Sequence, residues 1–223
     1  SEEGEPVKFY NNTNGYFSQI DFGIEDELFE TKTVQWIDFD SDNDYDLFIT
    51  SNSDSNVLFE NLGNMVFDNI TISSGLNLNN NSNFGSSWGD YDKDGLLDVF
   101  FCGNQVPNKL YLNNGNLQFT DISESSGINI GKNWSNGITF VDINNDGFMD
   151  MIGGYDKFRR INTIYYGNGV DFSKDRITVL PYTNEWDALH NINFYDIDGD
   201  GELEIIAGRS TGNGFEGFYL EAY

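Results

Sequence analysis

Trp88-Gly89-Asp90-Tyr91-Asp92-Lys93-Asp94-Gly95-Leu96-Leu97-Asp98-Val99 is the segment on which the fold turns, because the chain repeats it. Its relatives begin at Trp36 (Asp38-Phe-Asp40-Ser-Asp42-Asn43-Asp44-Tyr-Asp46), Phe140 (Asp142-Ile-Asn144-Asn-Asp146-Gly147-Phe-Met-Asp150) and Phe194 (Asp196-Ile-Asp198-Gly-Asp200-Gly201-Glu-Leu-Glu204). The first acidic residues are spaced by 52, 52 and 54 positions. A fixed period of this length marks a stacked-repeat or propeller architecture.

A second element keeps the same beat about 20 residues later: Leu58-Phe-Glu-Asn-Leu-Gly63, Leu110-Tyr-Leu-Asn-Asn-Gly115 and, more loosely, Ile164-Tyr-Tyr-Gly-Asn-Gly169. Lys8–Phe17 opens the chain with the same pattern, and Gly217–Tyr223 begins it again. Short runs of Phe, Tyr, Ile, Val and Leu are punctuated by Gly, Asn and Asp, and no helical period competes. In the second repeat these runs predict strands at Ser86–Asp90 (A), Asp98–Cys102 (B), Lys109–Asn113 (C) and Gln118–Ile122 (D). Four antiparallel strands in about 50 residues make one blade of a β-propeller. A sandwich would also supply evenly spaced strands, but nothing in it calls for a constant period. The expected fold is therefore all-β, with a disordered lead at 1–6 and one propeller domain over 7–223. Its repeats fall at about 33–83, 84–136, 137–189 and 190–223, with 7–32 as a further C–D pair. Two arrangements stay open: a segment of a larger ring, or a closed four-bladed ring whose last blade the amino-terminal pair completes.

The acidic loops carry the chemistry. Oxygen side chains at positions 1, 3, 5 and 9, a turn residue at 6 and a free carbonyl at 7 describe a cage for a hard cation. The expected side-chain ligands are Asp38, Asp40, Asp42 and Asp46; Asp90, Asp92, Asp94 and Asp98; Asp142, Asn144, Asp146 and Asp150; and Asp196, Asp198, Asp200 and Glu204. Carbonyls of Asp44, Leu96, Phe148 and Glu202 complete the sets. Several anionic oxygens in a flexible loop favour Ca²⁺ over Mg²⁺, which holds a stricter octahedron, so about four calcium ions are expected, one per repeat. An EF-hand is excluded, because its twelfth-position Glu is replaced here by Ile49, Phe101, Gly153 and Ala207. Asn43 in place of Gly, uncharged Asn144 and the longer Glu204 weaken their own loops, leaving the second as the expected best binder.

These residues resemble the FG-GAP and VCBS repeats, the calcium-loop blades of integrin alpha-chain propellers and of many secreted bacterial proteins. The resemblance covers about residues 7 to 222 and rests on the Asp-x-Asp-x-Asp-Gly-x-x-Asp loop followed by an apolar strand. It implies an extracellular propeller, commonly of about seven blades, with cations between the first two strands of a blade. The Phe-Gly/Gly-Ala-Pro signature itself is missing, with fragments such as Phe84-Gly85 in its place.

Charge supports the same reading. Eleven Lys and Arg against 37 Asp and Glu give a formal charge of −26, which excludes nucleic acid and anionic membrane surfaces as main partners. No apolar run approaches the roughly 20 residues that span a bilayer, so direct membrane insertion is not expected. Like charges about 4 Å apart repel by on the order of 1 kcal/mol even in water, so four carboxylates in one loop need neutralising. At about 1 mM extracellular calcium each filled site would add roughly 0.5 to 2 kcal/mol. Cytosolic calcium is too scarce for such sites, which points to a secreted or cell-surface location.

In an up-down blade the A–B and C–D turns share one face, and the B–C and D–A connections share the other. Trp134, Lys157, Arg159, Arg160, Trp186 and Arg209 all fall on the connection face. Arg and exposed aromatic rings together suit a glycan or an extracellular protein ligand. The alternative for the two tryptophans is packing between blades. Catalysis has little support: His190, the one histidine, has no Ser or Cys signature around it, and the carboxylates are largely committed to the loops. The expectation is thus a non-enzymatic recognition or adhesion module; the competing reading is the propeller of a secreted polysaccharide lyase or hydrolase. Further blades from the same or another chain are a third kind of partner. Cys102, in Phe100-Phe101-Cys102, reads as core.

Overall fold

The computed structural model describes residues 7–24, 31–51, 56–76, 83–128, 133–134, 138–153, 163–172, 175–180, 188–210 and 218–222. Among them there is no helix, and so none long and apolar enough to cross a membrane. The chain opens with a hairpin, β1 (Phe9–Thr13) and β2 (Tyr16–Ile20). The first full blade is β3 (Thr31–Ile37), β4 (Asp46–Ser51), β5 (Val57–Asn61) and β6 (Phe67–Asn69), hydrogen-bonded in sequence order. The second is β7 (Asn83–Gly89), β8 (Asp98–Val106), β9 (Lys109–Asn113) and β10 (Phe119–Asp121). A short β11 (Asn133–Trp134) adds to the far end of β8. The third blade is β12 (Ile138–Val141), β13 (Asp150–Gly153), β14 (Thr163–Tyr165) and β15 (Ile177–Val179). The last comprises β16 (Ala188–Tyr195), β17 (Glu204–Ser210) and β18 (Phe218–Ala222). All pairings are antiparallel. The expected all-β, propeller-like blades are what the chain forms. Strand B of the second repeat runs on to Val106 instead of ending at Cys102.

Strand B explains how the blades stack. Alternation sends successive side chains to opposite faces, and here both faces are covered. Leu47 and Ile49 of β4 join Phe9 of the hairpin, while Phe48 joins Val99, Phe101 and Phe119 of the second blade. Phe100 and Cys102 then meet Phe140, Met151 and Phe172 of the third, and Ile152 meets Ile192 and Ile205 of the fourth. Cys102 is buried, as its apolar run predicted. The core therefore lies in slabs between successive blades. Pre-loop aromatic residues bridge the slabs: Trp88 stacks edge-on against Phe48 at 5.4 Å, and Phe140 against Phe100 at 5.5 Å.

The hairpin makes a sheet of its own packed on the first blade, and β17 pairs with β18 on its outer side. The amino-terminal pair thus does not supply the third and fourth strands of the last sheet.

A turn missed in the sequence locks blade to blade. After β6 and β10 come Ile72-Ser73-Ser74-Gly75 and Glu124-Ser125-Ser126-Gly127, and the Ser74 and Ser126 carbonyls accept the N–H groups of Phe119 and Phe172, each at 2.8 Å. Gly75 has φ +84°, and a methyl group there would lie 2.8 Å from the Phe119 carbonyl oxygen. Gly15 has φ +86° with open space around it. Gly15→Ala should therefore cost only the left-handed strain of about 1 kcal/mol. Gly75→Ala should cost on the order of 1 to 2 kcal/mol more, because backbone must move across a blade interface. Urea titration of the two variants checks this; equal losses would show that the contact is slack.

Candidate metal centres

Each acidic loop joins strands A and B and has the same backbone. The sixth residue is left-handed in all four: Asn43 at φ +74°, Gly95 at +89°, Gly147 at +83° and Gly201 at +93°. Asparagine tolerates this region better than other side chains do, which is why Asn43 can replace glycine. The fourth residue is left-handed too, at Ser41, Lys93, Asn145 and Gly199. That second reversal was not read from the sequence, since only Gly199 announces it.

These reversals draw the carboxylates inward. Carboxylate oxygens of Asp38, Asp40 and Asp42 lie within 4.8 Å of one another, as do those of Asp90, Asp92 and Asp94, and those of Asp196, Asp198 and Glu204. In the third loop Asp142 and Asp146 flank Asn144, whose Nδ2 donates to Asp146 Oδ2 at 3.0 Å. Side chains also clasp their own backbone. Asp90 Oδ1 and Oδ2 accept the N–H groups of Asp94 and Gly95, at 3.1 and 3.0 Å, and Asp142 and Asp196 do the same in their loops.

The ninth carboxylate behaves differently. Asp98 is fully buried; its Oδ2 accepts the Tyr91 N–H at 2.7 Å and its Oδ1 the Asn113 N–H at 2.8 Å. Asp46 holds Phe39 and Asn61 in the same way, and Asp150 holds Ile143 and Gly167. Glu204 accepts the Ile197 N–H at 2.8 Å. In the first three blades this residue is a bracket tying the loop to the end of strand C, and each oxygen keeps a lone pair for a further partner. The motif alone reads it only as a ligand.

The first loop carries the heaviest load. Asp38 Oδ1 and Asp44 Oδ1 are buried without a hydrogen-bond partner. Burial and then the neighbouring Asp42 raise the carboxyl groups of Asp40 and Asp44, and burial followed by Asp40 raises Glu60. Orphaned oxygens and mutual repulsion are what a divalent ion would relieve, so the residues fit calcium.

Burial pushes the Asp46 and Asp98 carboxyls up to about 7, against backbone N–H bonds that pull them down. An unfolded Asp titrates near 4. The folded value is thus the higher, so without metal the ionised groups oppose folding above about pH 7, and stability returns as pH falls from about 7 towards 4. Calcium needs the ionised form, which reverses the trend. In EDTA the melting temperature should rise between pH 7.5 and 5, and in excess calcium it should fall. Parallel melts across that range test both signs; the same slope in both buffers would contradict them.

On the opposite face, β11 pairs Trp134 with Asn104 of β8, so one D–A connection runs beside the adjoining B–C connection. Arg209 pairs with Leu189 and Tyr219, and His190 with Gly208, in the last sheet. Lys157, Arg159, Arg160 and Trp186 lie outside the described residues. Missed in the sequence were Asn56 and Asn108, buried asparagines whose Oδ1 atoms accept the N–H groups of Ser51 and Gly103 and close the B–C turns.

A model of the FG-GAP-like repeat matches residues 38–101 and again 90–153, more than half of the chain. The chain belongs to the FG-GAP-like repeat family. Both matches begin on the first aspartate of a loop and end in strand B of the next blade, so each spans two acidic loops. Cartilage acidic protein 1 of Xenopus tropicalis is 24% identical over 246 aligned positions, covering 92% of this chain. The chain spans 37% of the length of that relative. Among solved structures, a lectin of Agrocybe aegerita, described as recognising non-reducing terminal N-acetylglucosamine, aligns over 98% of this chain and 80% of its own. The TM-score is 0.41 and the identity 14%.

Proposed function

We propose that this FG-GAP-like chain is a calcium-stabilised, extracellular recognition module that binds a glycan or protein ligand on the face opposite its calcium loops and carries out no chemistry of its own. The observation that carries the calcium part is the first loop, where three carboxylates converge and two buried oxygens have no partner. Calcium supplies the positive charge that lets such loops close. Ligands for the ions are the side chains at positions 1, 3 and 5, with the ninth carboxylate offering its spare lone pairs. An extracellular setting is supported by the calcium requirement and by the likeness to a protein named for cartilage. Recognition is supported by Trp134 beside the B–C connection, together with the basic run Lys157–Arg160 that sequence position assigns to the same face.

The test is a glycan array followed by assay for unsaturated or hydrolysed sugar products. Binding without products, lost in an Arg159→Ala/Arg160→Ala variant that melts normally, is the expected result. Product formation would make the chain a lyase or hydrolase; binding unaffected by the two substitutions would move the ligand site elsewhere.

A further inference from the structure

The four loops are tied to one another. Buried Asn113 donates through Nδ2 to the Phe39 carbonyl of the first loop at 2.8 Å and to the Leu97 carbonyl of the second at 3.2 Å. Lys93, fourth in the second loop, sets its Nζ 3.6 Å from the centre of the Phe148 ring and 3.5 Å from the Asp146 carbonyl oxygen, both in the third loop. Asn145, fourth in the third loop, donates to the Gly201 carbonyl of the fourth at 3.0 Å. The first kind of link is not repeated between the second and third loops, for a reason. Gly167 occupies in the third blade the place of Asn113, and a Cβ there would come within 2.1 Å of the Met149 carbonyl oxygen, so no bridging side chain fits. Lys93 spans that gap from the other side.

We propose that the calcium loops fill as a coupled row, each loop that closes on an ion raising the affinity of the next. The inference rests on the calcium reading above. An empty loop must lose backbone freedom when it binds, at about 1 to 2 kcal/mol per residue fixed. A neighbour already closed holds part of that backbone in place and lowers the cost. Loop three has most to gain, because Asn144 leaves it one carboxylate short. Coupling is reciprocal: filling loop three must strengthen loop two by the same factor.

Lys93 gives the idea a sign that charge alone would reverse. Were its ammonium only a positive charge near the third site, removing it would tighten calcium there. As a tie, its removal loosens calcium. Calorimetric calcium titration of the full chain reads this directly. The parent should bind more steeply than independent sites. Lys93→Asn, which suits the left-handed backbone, should bind the same number of ions with a shallower curve and its weakest step at least about 5-fold weaker. Lys93→Arg should restore the parent curve. Asp142→Asn should weaken the second site in the parent but not in the Lys93→Asn background. An unchanged or tightened Lys93→Asn curve overturns the coupling and leaves the calcium reading standing; a parent that binds no calcium overturns both.

Discussion

In excess EDTA the protein is expected to melt more than about 10 °C below its calcium-loaded midpoint. The magnitude follows from two steps. Four sites contributing roughly 0.5 to 2 kcal/mol each at millimolar calcium add about 2 to 8 kcal/mol. For a chain of this size each kcal/mol moves the midpoint by roughly 2 to 4 °C. The emptied loops keep their charge, and relief of that repulsion is part of what each bound ion contributes. Burial first, and then neighbouring carboxylates, Asp42 for Asp40 and Asp44 and Asp40 for Glu60, push these three carboxyl groups up. Differential scanning calorimetry with and without chelator measures the shift, and an unchanged melt would mean that the loops are held by their own hydrogen bonds.

The largest effect of a single substitution is expected at Asp98. Its two oxygens hold the Tyr91 and Asn113 N–H groups inside the protein, and Asp98→Ala leaves both without acceptors. A buried donor without a partner costs about 1 to 3 kcal/mol, so Asp98→Ala should lose about 3 to 5 kcal/mol once the cavity is included. Asp98→Asn keeps one acceptor and turns an NH₂ group towards the other donor, so an intermediate loss follows. Because Asn113 also reaches the Phe39 carbonyl, the damage should extend to the first loop. Urea unfolding in saturating calcium provides the comparison. A loss below about 1 kcal/mol for Asp98→Ala would remove the bracket from the account.

Much of this was legible in the residues because it is local. The period, the loop and strands A to D repeat within about 50 residues, and each loop's turn at position six is written as Gly95, Gly147, Gly201 or Asn43. The apolar run Phe100-Phe101-Cys102 correctly marked Cys102 as core. What could not be read joins residues of different blades. Nothing in Phe100 or Phe101 says which faces the second slab and which the first; that depends on register against both neighbours. The Lys93 link spans 53 residues, and the Asn113 link 74.

The ninth position shows a different kind of shortfall. A motif that lists Asp98 among the oxygens of a cage is silent about its burial, and burial is what converts a ligand into a bracket between loop and strand. A signal was present nonetheless. Asn61 and Asn113 stand three residues after Leu58 and Leu110 of strand C, and their N–H groups are the ones that Asp46 and Asp98 accept.

The central claim is that divalent ions occupy the aspartate loops and allow so acidic a chain to stay compact. Crystals grown in millimolar calcium, with anomalous differences collected at a long wavelength, test it most directly. The account predicts a peak within coordination distance of Asp38, Asp40 and Asp42, another at Asp90, Asp92 and Asp94, and others in the third and fourth loops. Loops clasped by their own backbone N–H groups, with no anomalous density inside them, would contradict it.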